Sequence, residues 1–426
     1  MKNLIFIVLG LSVFSCSQLD REKSSVMVND SQNNGGLTLP DGFQSSIFSD
    51  TLGKARHIVV HQNGNVYINL RTVRNGQGLV ALKDSNEDGK ADEIEYFSET
   101  AGTGIGIYQD HLYYSTDSSI FRMQLSSQSL VPEGQGELMI GGLLNKRQHA
   151  AKTFTFDEDG YIYVNVGAPA NACMEQGRTK GSPGMDPCPL LENSGGVWRF
   201  QATVPGQDQM EDGYRYSTGI RNAVAIDYNP NSKHVYVVQH GRDQLHQFFP
   251  ELYSEEQSAE LPAEEFFMLN DGADFGWPYC YYDQIQDKKV LEPEYGGNGQ
   301  EVGRCDEKED PIMAFPGHWG PNALLFYTGD MFPERYKNGA FIAFHGSWNR
   351  APEQKGYHVV FVPFEGEQPS GDYEIFADGF AGTDTIESPG DAAYRATGLA
   401  QGPDGALYVT DDNVGRVWKI TYSGQN

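Results

Sequence analysis

One cassette recurs along this chain: a short apolar run, a turn of Gly, Asn or Asp, then a run rich in Tyr and Val. It centres first on His57-Ile58-Val59-Val60 with Asn65-Val66-Tyr67-Ile68, and next on Gly104-Ile105-Gly106-Ile107 with His111-Leu112-Tyr113-Tyr114. Four more units follow His149, Arg221, His318 and Arg395, which makes six. No convincing long amphipathic helix interrupts them from residue 39 onward. One strand pair cannot bury both of its faces, so repeated pairs must stack on their neighbours. The pattern predicts an all-β chain folded as a six-bladed β-propeller over residues 39–423, with about four strands per blade. Gly415-Arg416-Val417-Trp418-Lys419-Ile420 is placed to close the ring. Long inserts fall near 168–195 and 250–312, lengths more often functional than idle. A pair of β-sandwiches, or seven blades, is the competing architecture.

In the last four cassettes a cationic or imidazole residue stands ten or eleven positions ahead of the turn. His149 precedes Asp159-Gly160, Arg221 precedes Asn231-Ser232, His318 precedes Thr328-Gly329, and Arg395 precedes Gly405. Radial stacking brings equivalent positions of different blades to one ring about the axis. The pattern therefore predicts one pocket rich in Arg and His, a site for an anion.

The whole chain runs the other way. Its 31 basic residues face 58 acidic ones, a formal net charge of −27. That balance excludes nucleic acid, and an anionic membrane surface, as partners. Arginine at repeat-equivalent positions is locally against this trend.

Met1-Lys2-Asn3 and the apolar run Leu4–Leu11 read as a signal peptide over residues 1–15, too short for a permanent span. Val13-Phe14-Ser15-Cys16 resembles a bacterial lipobox, with Phe14 an imperfect fit. Cys16 would then carry lipid, and residues 16–38 would form a solvated tether. This predicts an exported lipoprotein, periplasmic or anchored at the outer membrane. Cys173, Cys188, Cys280 and Cys305 remain as an even set. Of the three possible connectivities, the local pairs Cys173–Cys188 and Cys280–Cys305 are favoured.

The stretch from Asp84 to Glu95 satisfies a full calcium-loop pattern. Asp84, Asn86, Asp88, Asp92 and Glu95 would offer side-chain oxygens, and Lys90 its carbonyl. It lies between strands, which makes it a structural calcium loop on the rim, without a catalytic role.

Several motifs together resemble the glucose/sorbosone dehydrogenase family. They are Gly219-Ile220-Arg221-Asn222, Gly276-Trp277-Pro278, His345-Gly346-Ser347-Trp348-Asn349-Arg350, and Tyr394-Arg395 ahead of Pro403-Asp404-Gly405. Asp186-Pro187-Cys188 and the run from His345 to Arg350 look most like its sorbosone-dehydrogenase branch. The resemblance implies a propeller enzyme dependent on pyrroloquinoline quinone (PQQ) and calcium, which oxidises a carbohydrate and passes electrons to a respiratory acceptor. It implies that His149 is the base, and that Arg221 with Asn222 stabilises charge on the quinone. PQQ carries three carboxylates, which suit guanidinium forks, and Arg221, Arg350 and Arg395 are the candidates. Calcium is implied at the carbonyls of Gly241 and Arg242. Trp277, Trp319 and Trp348 are candidates to stack on the sugar or the quinone.

The chain departs from the soluble glucose dehydrogenase branch at two points. Where that branch has an Asp to orient the catalytic His, Val166-Gly167-Ala168 stands here, so Asp157, Asp159 or another group must substitute. Where it has a Lys near the cofactor, this chain offers the segment from His345 to Arg350. Two other function classes remain in view: a calcium-dependent lactonase-type hydrolase, and a non-catalytic cell-surface binding propeller.

Overall fold

The computed structural model describes residues 34–350 and 353–424. The signal segment, the lipobox with Cys16 and most of the 16–38 tether lie outside the described residues. No helix among the described residues is long and apolar enough to cross a membrane.

Six sheets follow one another in chain order, and their innermost strands are neighbours round a ring. Blade 1 holds Ala55–Val60, Val66–Arg74, Gln77–Lys83 and Glu93–Phe97. The inner pairs of blades 2 to 5 are Ile105–Tyr108 with His111–Ser115, Phe154–Phe156 with Tyr161–Val166, Ala225–Asn229 with His234–Gln239, and Pro321–Phe326 with Ala340–His345. Blade 6 combines Ala396–Gln401, Leu407–Asp411 and Val417–Tyr422 with Phe43–Ser49 from the other end of the chain. Phe43–Ser49 pairs antiparallel with Val417–Tyr422, so the ring is latched by both ends of the propeller domain. The six-bladed all-β reading is confirmed. Blades 2 and 3 add a short fifth, parallel strand each, Gln207–Asp208 and Ala273–Asp274.

The second strand of each blade is sandwiched between neighbouring sheets. Tyr161–Val166, Ala340–His345 and Leu407–Asp411 are therefore almost wholly buried and read as apolar runs instead of alternating. Aromatic rings fill the gaps between blades. Phe43, on the latch strand, meets Phe332 and Phe376 edge-on at 4.8 and 5.0 Å.

The hairpin turns share one device. Asn63, Asp157, Asn229 and Asp404 each accept the amide N–H two residues on through their side-chain oxygen. At the opposite, axial end, a polar side chain closes the second strand. Asn165 accepts from Ala223 N, Gln239 from Arg221 N, and Asp411 from Arg395 N. Arg221 and Arg395 are thus fixed through their own backbone.

Disulfides join Cys173 to Cys188 and Cys280 to Cys305, the local pairing. Each staples one of the two long inserts. The second insert also carries the helix Glu255–Glu260, whose capping box joins Ser254 and Gln257 reciprocally.

Candidate active site

The axial ends of the inner strands enclose a cavity of about 610 Å³. Its wall includes His149, Arg221, Asn222, Gly241, His318 and Arg395, so four blades do deliver their ring residues to one hollow. His345 joins them.

His149 sits just ahead of Phe154–Phe156 in a left-handed conformation, φ 52°. Its Nδ1 lies 2.5 Å from the carbonyl oxygen of Ala168. A carbonyl can only accept, so Nδ1 carries the hydrogen and Nε2 keeps its lone pair. Burial, reinforced by the charge of Arg221, pushes the imidazole down to about 3. His149 is therefore a neutral acceptor on the cavity wall. Asp157 is not its partner, since that carboxylate binds the amides of Asp159 and Tyr161 and the hydroxyl of Tyr163. The missing carboxylate is replaced by backbone. Gly167 makes this possible: a Cβ there would lie 2.7 Å from His149 Cβ and 2.6 Å from Asn222 Oδ1.

Arg221 is buried and satisfied by protein. Its guanidinium donates to Asn171 O and Oδ1, to the carbonyls of His240 and Gly241, and to Asp243 Oδ2 at 3.1 Å. It brings positive charge to the wall, while its fork organises the loop 239–243. Asn222 Oδ1 accepts from Asn165 Nδ2 at 3.3 Å, beside Gly167. Burial opposes the charge on Asp243, but Arg221 and His318 outweigh it and hold the carboxyl well below the usual range.

The two other arginines separate. Arg395 lines the cavity, donates through Nε to His345 O and through Nη2 to Gly346 O, and packs 4.5 Å from the ring of Trp348. Its Nη1 meets no protein acceptor among the described residues. Arg350 does not reach the cavity: it binds the carbonyls of Ala259 and Gly317 and the carboxylate of Glu260. It anchors the helix of the second insert. The three tryptophans divide likewise. Trp277 is buried with its N–H on Asn171 O, and Trp319 is wedged against Phe344 and His358. Trp348 is 65% exposed at the cavity wall.

The residues nominated for calcium are arranged differently from expectation. Gly241 O accepts Arg221 Nη1 at 2.8 Å, which puts a guanidinium where a cation would sit. Arg242 is not on the wall; its side chain is 1% exposed and pairs with Glu292 and Glu294 at 2.9 and 2.7 Å. As arranged, the Gly241 carbonyl does not fit a calcium ion. In the rim loop, Asp84 binds the amides of Asp88 and Gly89, Asn86 that of Asp88, Asp88 that of Lys90, and Asp92 that of Ser85. Glu95 faces Ala81 on the strand Glu93–Phe97. No group of three or more His, Cys, Asp or Glu suited to a metal occurs among the described residues. The loop's oxygens close an Asx-rich turn.

Sequence reasoning missed the blade 1 cations. Lys54, Arg56, Arg71 and also Arg147 line the same cavity. Arg56 faces Asp412 and Arg71 faces Asp117, while Lys54 and Arg147 have no carboxylate partner among the described residues. They sit outside the ten-or-eleven spacing, so the repeat pattern alone did not mark them. Glu264 was also missed: it accepts the amides of Gly241 and Gly320, and burial raises it to about 8. Unpaired Lys54 and Arg147, with the free Nη1 of Arg395, fit a polyanionic ligand such as the PQQ tricarboxylate.

Comparison with known proteins agrees with this chemistry. A PQQ-dependent pyranose dehydrogenase of Coprinopsis cinerea is 28% identical over 187 residues, 37% of this chain and 25% of that protein. The match thus spans a quarter of that relative's length. The holo PQQ domain of the Coprinopsis cinerea pyranose dehydrogenase superposes with a TM-score of 0.73 at 18% identity, covering 90% of this chain and 97% of that one. An iodide structure of a Trichoderma reesei protein of Carbohydrate-Active Enzymes Family AA12 gives 0.75 at 18%, covering 91% and 98%. A family model described as TrAA12-like matches residues 37–423, and the chain belongs to that family, the PQQ-dependent AA12 sugar oxidoreductases.

Proposed function

We propose that this protein binds PQQ in its axial cavity and oxidises a hydroxyl-bearing carbon of a sugar outside the cytoplasm. One observation carries the reading: His149 is held as a neutral base on the same wall that gathers unpaired cations. PQQ, when bound, supplies the two-electron acceptor for hydride from the carbinol carbon. The chain's own residues do the rest. His149 Nε2 takes the hydroxyl proton, while Nδ1–H on Ala168 O fixes the tautomer and the ring. Lys54, Arg147 and Arg395 receive carboxylates, and Trp348 covers the mouth with an apolar face. Arg221 contributes charge and, through five hydrogen bonds, ties the loop 239–243 to Asn171. Calcium has no part in this reading, because Arg221 stands at the Gly241 carbonyl.

The signal segment and lipobox support export with a lipid on Cys16, and the soluble propeller would then face a respiratory acceptor. The test is titration of the cofactor-free protein with PQQ, followed by artificial-dye reduction across a panel of sugars. Saturable PQQ binding with sugar-dependent dye reduction is expected. Binding without turnover would leave a non-catalytic propeller. Turnover of a lactone without PQQ binding would make the protein a hydrolase.

A further inference from the structure

A second imidazole on the cavity wall has no role in that account. His345 ends the second strand of blade 5, and its Nε2 lies 2.6 Å from Asp412 Oδ1. Asp412 Oδ2 in turn lies 3.0 Å from Arg56 Nε. Burial opposes the charge on Asp412, but His345 and Arg56 outweigh it and keep the group a carboxylate. A carboxylate only accepts, so His345 Nε2 carries the hydrogen and Nδ1 keeps its lone pair. Nδ1 finds no partner among the described residues, and both His345 and Asp412 line the cavity. The groups facing this imidazole are Asp412, Arg395, Arg56 and His240.

The cavity therefore presents two imidazole lone pairs from different blades: His149 Nε2, backed by a carbonyl, and His345 Nδ1, backed by a carboxylate. Each wants a hydrogen-bond donor. The ionised carboxylates of PQQ offer none, and neither do its quinone oxygens. A second hydroxyl of the substrate does.

We propose that His345, held by Asp412, is a specificity residue that accepts the hydrogen of a second sugar hydroxyl while His149 takes the proton of the reacting one. The inference rests on the sugar-oxidoreductase reading and deepens it. It restricts substrates to polyhydroxylated compounds whose hydroxyls span both bases, and excludes simple alcohols. Asp412 acts through His345 as a positioning residue. Of the bound cofactor's own groups the pyrrole N–H could also donate, and the experiment separates the two sources.

The test uses the full chain labelled with 15N-histidine, with the His345 signals assigned by comparison with His345→Gln. In the wild type, Nδ1 should show the shift of an unprotonated nitrogen. It should stay in place when PQQ is added and move when sugar follows. Asp412→Asn should blend the two tautomers without removing the sugar response. In dye-reduction assays His345→Gln and His345→Phe should raise KM about tenfold, the scale of one lost hydrogen bond, with kcat within about twofold. A deoxy sugar lacking the second hydroxyl should lose about as much with the wild type and nothing further with His345→Phe. Movement of the signal on PQQ alone would overturn the proposal in favour of the cofactor's N–H. So would loss of kcat at unchanged KM, or additive losses in the deoxy series. If the wild type neither binds PQQ nor reduces dye, the sugar-oxidoreductase reading falls separately. The sugar titration of the His345 signal still decides, a shift supporting the acceptor role and no shift overturning it.

Discussion

His149 gives its Nδ1 hydrogen to the backbone carbonyl of Ala168, at the place where the soluble glucose dehydrogenase branch uses an aspartate side chain. A neutral carbonyl orients an imidazole as well as a carboxylate does, but it stabilises the protonated ring less. The imidazole is therefore fixed in geometry and kept unprotonated by burial and by Arg221.

Gly167 is where this arrangement is most exposed to mutation. A methyl group there would press on both His149 Cβ and Asn222 Oδ1, one a side-chain root and the other tied to Asn165. Gly167→Ala should lower kcat at least about tenfold and cost roughly 1–3 kcal/mol of stability. Dye reduction and urea unfolding measure the two effects.

The roles of His149 and Arg395 should separate kinetically. His149→Ala should abolish dye reduction and leave PQQ affinity nearly intact, because the ring contributes a base and little binding. Arg395→Ala should weaken PQQ binding by about 2 kcal/mol, on the scale of a charge-assisted hydrogen bond. Fluorescence titration of PQQ against both variants checks this, and the reverse pattern would exchange their assignments.

Buried titratable groups set the pH dependence of stability. His57, His240 and His358 are pushed down to about 4, and His149 to about 3, chiefly by burial. Below pH 6.5 the unfolded chain protonates all four and the folded chain does not, so their stabilisation is lost as pH falls. Asp227, Glu264 and Glu292 are raised by burial to about 7, 8 and 8. Above pH 4.5 the unfolded chain deprotonates them first, so stability falls as pH rises through that window. From pH 4 to 6.5 the two sets largely oppose each other. Above 6.5 only the carboxyls act. The cofactor-free protein should show its highest Tm near pH 6.5 and a decline toward pH 8, read by calorimetry.

The Cys173–Cys188 bridge holds the insert that carries Asn171, the residue that binds Arg221 through both its carbonyl and its side chain. Replacing both cysteines with serine frees a loop of 15 residues' separation and should cost about 3 kcal/mol. PQQ affinity should fall with it, because Arg221 loses its anchor. Replacing Cys280 and Cys305 should lower Tm with a smaller effect on PQQ. Thermal melts with and without PQQ measure both.

The sequence made the architecture legible because one strand-turn-strand unit recurs with strand-forming residues and turn-formers in step. Asp157-Glu158-Asp159-Gly160 and Pro403-Asp404-Gly405 both became hairpin turns closed by a side-chain oxygen. The same repetition placed His149, Arg221, His318 and Arg395 on one cavity. Arg350 escaped that logic, since it lies in a loop outside the repeat and its fork meets Ala259 O and the Glu260 carboxylate on the helix of the second insert. The rim loop carries every oxygen of its calcium pattern, yet in the fold those of Asp84, Asn86, Asp88 and Asp92 accept the loop's own amides.

Local pattern and periodicity, then, determined the blade count, the ring of basic residues, the disulfide partners and the family. Tertiary structure alone decided which basic groups stay unpaired and which way each imidazole faces. Arg221 and Arg395 look equivalent in sequence, but one has its guanidinium nitrogens taken by Asn171 and the loop 239–243 and the other keeps a free nitrogen at the cavity. Contacts hundreds of residues apart, such as the hydrogen bond of His57 with Asn322 or the ion pair of Arg56 with Asp412, are set by how the blades close on one another. No spacing along the chain encodes that closure, because it depends on the sum of packing between all six sheets.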